Sequence, residues 1–130
     1  MKSSVRKGMA TVLLAWWGCS APEQAPLPAR VDTDAARLQG RALFLKHCAL
    51  CHGFNADGHG IRQQGFDRPP ADFTDRTWRE RVSPTRAFEI IKHGKPQTAM
   101  PAWHVFSDEQ IWQLVSYLRS VAGSAPVVSP

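Results

Sequence analysis

Cys48-Ala49-Leu50-Cys51-His52 puts two thiols and an imidazole within five consecutive residues. Thiols separated by two residues can reach both vinyl groups of one porphyrin, and the histidine that follows can aim a ring nitrogen at the iron. Cys-x-x-Cys-His is the attachment sequence of c-type haem. The same thiols also suit a disulfide, a redox dithiol or half of a zinc site. Zinc needs further ligands, and the sequence holds no second cysteine pair. A redox dithiol belongs beside a strand-helix unit, and no stretch here alternates as a strand. Covalent haem on Cys48 and Cys51, with His52 facing the iron, uses all three groups.

The elements that must hold these groups are helical. A first helix starts near Asp32 to Asp34, where short polar residues cap it, and runs to about His47 with Leu38, Ala42 and Leu45 at helical spacing and Phe44 beside them. Gly40 is costly inside a helix and points to close contact with another element. A short helix follows Thr74, through Trp78 to Arg81. Ser83-Pro84 announces another, because serine accepts a bond from an unpaired amide and proline fits the first helical position. That helix carries Phe88, Ile90 and Ile91 and ends at Gly94. The last opens on the capping box Ser107-Asp108-Glu109-Gln110 and runs through Ile111, Leu114, Val115 and Leu118 to about Val121. Gly53 to Phe73 and Lys95 to Phe106 are long Gly/Pro-rich loops, uncommon in so small a domain unless a large buried group organises them.

With the motif and these helices together, residues 33 to 122 resemble a monohaem class I cytochrome c. Gly40 and Phe44 match the Gly-x-x-x-aromatic of that family's first helix, and Tyr117 fits the aromatic position of its last helix, where the two cross. The resemblance implies an all-α, cytochrome c-like domain of three to four helices packed around one covalent haem c. It also implies a second axial ligand from a methionine in a later loop. Thr98-Ala99-Met100-Pro101-Ala102-Trp103 resembles that loop, so Met100 is expected on the iron opposite His52; Met1 and Met9 belong to the leader. His93 and His104 are the competing ligands, spaced unlike the family's, while His47 and His59 lie too near the attachment site. Pro69-Pro70-Ala71-Asp72-Phe73 resembles a segment in which a proline carbonyl orients the proximal histidine, with Pro69 and Pro70 both open. Trp78 and Trp103 are candidates for the haem edge or for plain core packing.

Outside the domain, Lys2, Arg6 and Lys7 precede an apolar run from Met9 to Trp17 that closes on Gly18-Cys19-Ser20. This order reads as a secretory signal over residues 1–18, and the run is too short for the ~20 residues of a membrane-crossing helix. Gly18-Cys19 resembles a bacterial lipoprotein processing site, with Cys19 as the acylated mature N-terminus. Residues 19–31 then form a Pro-rich tether, 32–123 the domain and 124–130 a frayed tail. Cleavage removes three basic residues and none of the 11 acids, so the formal charge falls from +5 to +2. That modest charge argues against nucleic-acid binding, and Arg76, Arg79, Arg81 and Arg86, interrupted by Glu80, read as a solvated face.

The expectation is a one-electron carrier rather than an enzyme. It is exported to the periplasmic side of a bacterial membrane, with the outer membrane weakly favoured, held there by lipid and serving redox protein partners. The alternatives are a haem sensor or peroxidase-like enzyme with a dissociable Met100, and a cytochrome subunit of a larger oxidoreductase.

Overall fold

The computed structural model describes residues 25–122. The expected signal segment, Cys19 and the tail from residue 124 lie outside the described residues. Five α-helices follow one 3-10 turn, Ala29–Val31: α1 Asp34–His47, α2 Ala49–His52, α3 Arg76–Arg81, α4 Pro84–His93 and α5 Asp108–Val121. No strand occurs among the described residues.

Every helix start but that of α2 is fixed by a short polar side chain that accepts a bond from an amide lacking an intrahelical partner. Thr33 takes the Ala36 N–H at 3.2 Å, Asp75 the Thr77 N–H at 2.8 Å and Ser83 the Arg86 N–H at 3.1 Å. At α5 the box is reciprocal: Gln110 N–H donates to Ser107 Oγ at 3.2 Å, and Ser107 N–H donates to Gln110 Oε1 at 2.9 Å. The α2 turn, which carries the motif, was not expected as a separate helix. Cys48 ends α1 by donating to the Phe44 carbonyl at 2.8 Å, and its own carbonyl accepts from Cys51 and His52 at 3.1 and 2.9 Å.

The core lies where α1 crosses α5. A Cβ on Gly40 would run into the Gln113 carbonyl and come within 2.9 Å of Tyr117 Cβ, so glycine is what lets the two backbones meet. One turn on, Phe44 is buried with its ring 5.3 Å from that of Tyr117 and 6.2 Å from that of Phe73. The fully buried face of α1 is therefore Ala36, Gly40 and Phe44; of the positions expected from periodicity, Leu45 packs against the core in part, whereas Leu38 and Ala42 are exposed. Leu38 is 67% exposed. Size misled here, because the position facing α5 must be small for the helices to touch.

The tether is shorter than its composition suggests. Val31, placed in it by sequence, is fully buried, and its carbonyl accepts from Ser116 Oγ on α5 at 2.6 Å. One valine anchored on α5 outweighs the prolines before it, so the folded unit begins at the 3-10 turn rather than at residue 32.

Candidate functional site

Local chain geometry presents the Cys-x-x-Cys-His side chains together. From Cys48 the helical turn α2 carries Cys51 and His52, and the loop after it is tied back onto the motif. Gly58 N–H donates to the His52 carbonyl at 2.8 Å, Arg62 N–H to the Leu50 carbonyl at 2.9 Å, and Phe73 N–H to the Ala56 carbonyl at 2.8 Å. Asp72 Oδ1 closes the far end of the loop, accepting from Thr74 N–H at 2.8 Å and from its hydroxyl at 2.6 Å.

His52 is the best-defined side chain of the site. Its Nδ1 stands 3.1 Å from the Ala71 carbonyl. A carbonyl only accepts, so Nδ1 carries the proton and Nε2 keeps its lone pair for a metal. Phe73 lies against the ring, with centroids 4.7 Å apart and planes at 31°. Burial holds the imidazole below its ordinary value of 6.5, with the Ala71 bond acting weakly the other way, and the neutral ligating form is favoured. The carbonyl expected from Pro69 or Pro70 is thus supplied by Ala71 instead. Two prolines set the approach of the chain, and the residue after them reaches the ring. Burial, and then the charge of Cys51, pushes the Cys48 thiol up to about 12, so the thiol is protonated near neutral pH.

Met100 is positioned by the end of α4. Gly94 closes that helix at φ +76°, and a Cβ there would meet Ala102 N at 2.9 Å and Met100 O at 3.0 Å. Lys95 N–H donates to the Met100 carbonyl at 3.2 Å, Met100 N–H to Thr98 Oγ1 at 3.2 Å, and Trp103 N–H to the Ile91 carbonyl at 3.1 Å. Trp103 stacks on Phe106 with planes 8° apart. His47, at the end of α1, stands edge-on to both rings at 5.6 and 5.1 Å, joining the attachment motif to the methionine loop.

All four expected site residues in the described region, Cys48, Cys51, His52 and Met100, line one cavity of about 440 Å³. Its walls are mainly apolar, with Leu50, Phe73, Ile90, Ile91 and Leu118 among them. The volume is in the range of about 300–1,000 Å³ usual for cofactor pockets. Trp78 and Trp103, left between haem edge and core, both line it. His47 and His52 are the histidines among the described lining residues. His93 and His104 instead face each other with rings 6.2 Å apart, and His93 Nε2 lies 3.2 Å from Glu89.

Arg62, Arg68 and Lys95 also line the cavity and were not picked out from sequence. A lone cation in a loop reads as solvated, and only the fold gathers these three around one opening. The donor set fits a haem: two thiols, a neutral imidazole, a thioether, apolar walls for the macrocycle and cations to meet its carboxylates.

Residues 35–118 match the family described as cytochrome C oxidase, cbb3-type, subunit III. The chain belongs to that family. It is a monohaem c-type cytochrome, and it binds haem c covalently through Cys48 and Cys51. Among solved structures the cytochrome is similar to the c-type cytochrome KustC0563, at 30% identity and a TM-score of 0.52, over 64% of this chain and 96% of that one. It is also similar to cytochrome CL from the marine methylotrophic bacterium Methylophaga aminisulfidivorans MPT, at 25% identity and a TM-score of 0.56, over 71% and 57% of the two chains. The fold recurs in the reducing HAO-like protein complex Kustc0457/Kustc0458 of Kuenenia stuttgartiensis, at 24% identity and a TM-score of 0.56, over 71% of this cytochrome and 45% of that chain. The cytochrome thus spans about half the length of two of these three relatives.

Proposed function

We propose that this cytochrome is a one-electron carrier whose haem iron is held between His52 Nε2 and the Met100 sulfur. The observation that carries the reading is the convergence of these two side chains, from segments far apart in sequence, on the cavity that also holds both cysteines. Bound haem c supplies reversible exchange of one electron between ferrous and ferric iron. The chain's residues supply the rest. Ala71 keeps His52 Nε2 unprotonated, and the bonds of Lys95, Thr98 and Trp103 hold the methionine loop. Arg62, Arg68 and Lys95 would meet the carboxylate charge of the bound group, and the apolar walls would lower its local dielectric. Thioether ligation and low dielectric both favour the ferrous state and raise the potential.

Replacing Met100 with alanine is expected to lower the reduction potential measured by spectroelectrochemical titration, whereas His93→Ala and His104→Ala leave it nearly unchanged. A low-spin haem spectrum lost on replacing His104 would mean bis-histidine ligation and remove the basis for an oxidising carrier.

The carrier is exported and anchored on the periplasmic side by acylation of Cys19, a reading that rests on Gly18-Cys19 closing the apolar run. No described helix is long and apolar enough to cross a membrane. Mass spectrometry of the membrane fraction should find acyl chains on Cys19, and a soluble form that begins after Cys19 would exclude the anchor. Ser20 in second position fits an outer-membrane destination.

A second reading, a cytochrome subunit of a larger oxidoreductase, is favoured by the family description, which names an oxidase subunit, and by the complex among the similar structures. Both readings need redox protein partners, and copurification from native membranes separates them.

A further inference from the structure

A second cavity, of about 570 Å³, shares no lining residue with the haem cavity. It lies where α3, α5, the start of α1 and the segment leading into the 3-10 turn meet, and Leu27, Asp32, Arg37, Arg79, Ser116 and Arg119 are among its walls. Helix α3 serves both cavities: Trp78 and Val82 line the haem cavity, and Arg79 between them lines this one.

The charges of this cavity are one-sided. Three guanidinium groups line it against the single carboxylate of Asp32. Arg37 is already engaged by Asp32 and by Asp34, the latter at 2.7 Å. Arg119 is clamped in place, its Nη1 donating to the Arg79 and Val82 carbonyls at 3.2 and 2.8 Å, which fixes its guanidinium at the end of α3. Burial, and then the positive charge of Arg79, disfavours the protonated form of Arg119. Holding like charges together in a partly desolvated recess is costly, and a bound anion removes the cost.

We infer that this cavity is a binding site for a phosphate-class anion, held between Arg79 and Arg119. Guanidinium forks pair with the oxygens of phosphate through two parallel bonds, and two forks from different helices suit a tetrahedral group with several charged oxygens. The volume exceeds that of a bare ion, and Ala25, Pro26 and Leu27 give an apolar wall for the organic part of a phosphate ester. A soluble phosphate ester and a phospholipid headgroup share this chemistry.

The test uses the haem-loaded cytochrome and its Arg79→Gln variant, Arg119 being left intact because its backbone bonds hold α3. Thermal unfolding followed at the haem absorption is recorded with inorganic phosphate, with chloride at equal ionic strength, and with dihexanoyl phosphatidylglycerol or phosphatidylcholine. The site predicts that phosphate raises the melting temperature more than chloride does, or that phosphatidylglycerol does so and phosphatidylcholine does not. The first result assigns a soluble phosphate and the second a lipid headgroup. In both cases affinity falls about tenfold in Arg79→Gln, the loss of one charge-assisted bond, while the variant's haem spectrum matches wild type and its melting temperature in chloride is no lower than that of wild type. Stabilisation no greater than that by chloride and phosphatidylcholine, or equal affinity in Arg79→Gln, would overturn the proposal.

Discussion

The protonation state of His52 is decided by two neighbours of opposite effect, and burial wins over the Ala71 bond. The folded chain therefore binds fewer protons at this position than the unfolded chain does. Stability from this group is complete above the ordinary histidine value of 6.5 and is lost as pH falls below it, until the lowered folded value is reached. Coordination to iron acts in the same direction, since a metal takes only the neutral ring. Denaturant unfolding of the cytochrome should accordingly show stability flat in this term above pH 6.5 and declining below it, and a stability that rises on acidification would contradict the neutral His52. At this scale the sequence was most readable where covalent spacing dictates chemistry. Cys48, Cys51 and His52 are neighbours along the chain, so their convergence needs no tertiary information. Ala71 was missed because a backbone carbonyl leaves no trace in residue type, and Arg62, Arg68 and Lys95 because only folding of the loops brings them to one cavity.

Among the helices, the starts were legible because a cap is a local transaction between residues two or three apart, and Thr33, Asp75, Ser83 and Ser107 all make it. The inward face of α1 was not legible from apolar periodicity, since a helix crossing selects for small residues as well as apolar ones. Gly40 is the position at which this matters most. Gly40→Ala would gain helix propensity on α1 yet drive a methyl into the Gln113 carbonyl, and overpacking of this kind costs about 1–3 kcal/mol. Urea unfolding of the haem-loaded variant should show a net loss of stability, with the absorption of the folded form unchanged. A gain would mean that α1 and α5 do not cross at this contact.

Over the whole molecule, the two long loops that looked improbable for a small domain wall the haem cavity together with α2, α3, α4 and α5. The first is pinned to α2 by the Gly58 and Arg62 bonds, and the second is closed on itself by the Lys95–Met100 bond and pinned to α4 by the Trp103 bond to the Ile91 carbonyl. The helices supply the frame and, on α2, Cys51 and His52, while the second loop supplies Met100 to the same cavity. Whether the molecule carries electrons or binds ligands then turns on one contact, that of the Met100 sulfur with iron. The most direct measurement is the absorption spectrum of the wild-type cytochrome in both oxidation states near neutral pH, with and without carbon monoxide, beside that of Met100→Ala. Two occupied axial positions predict a six-coordinate, low-spin haem in both states, a ferrous spectrum that carbon monoxide changes slowly or not at all, and rapid carbon monoxide binding in Met100→Ala. A wild-type ferrous spectrum that is high-spin, or that shifts at once on adding carbon monoxide, would contradict the carrier and favour a sensor or peroxidase-like enzyme.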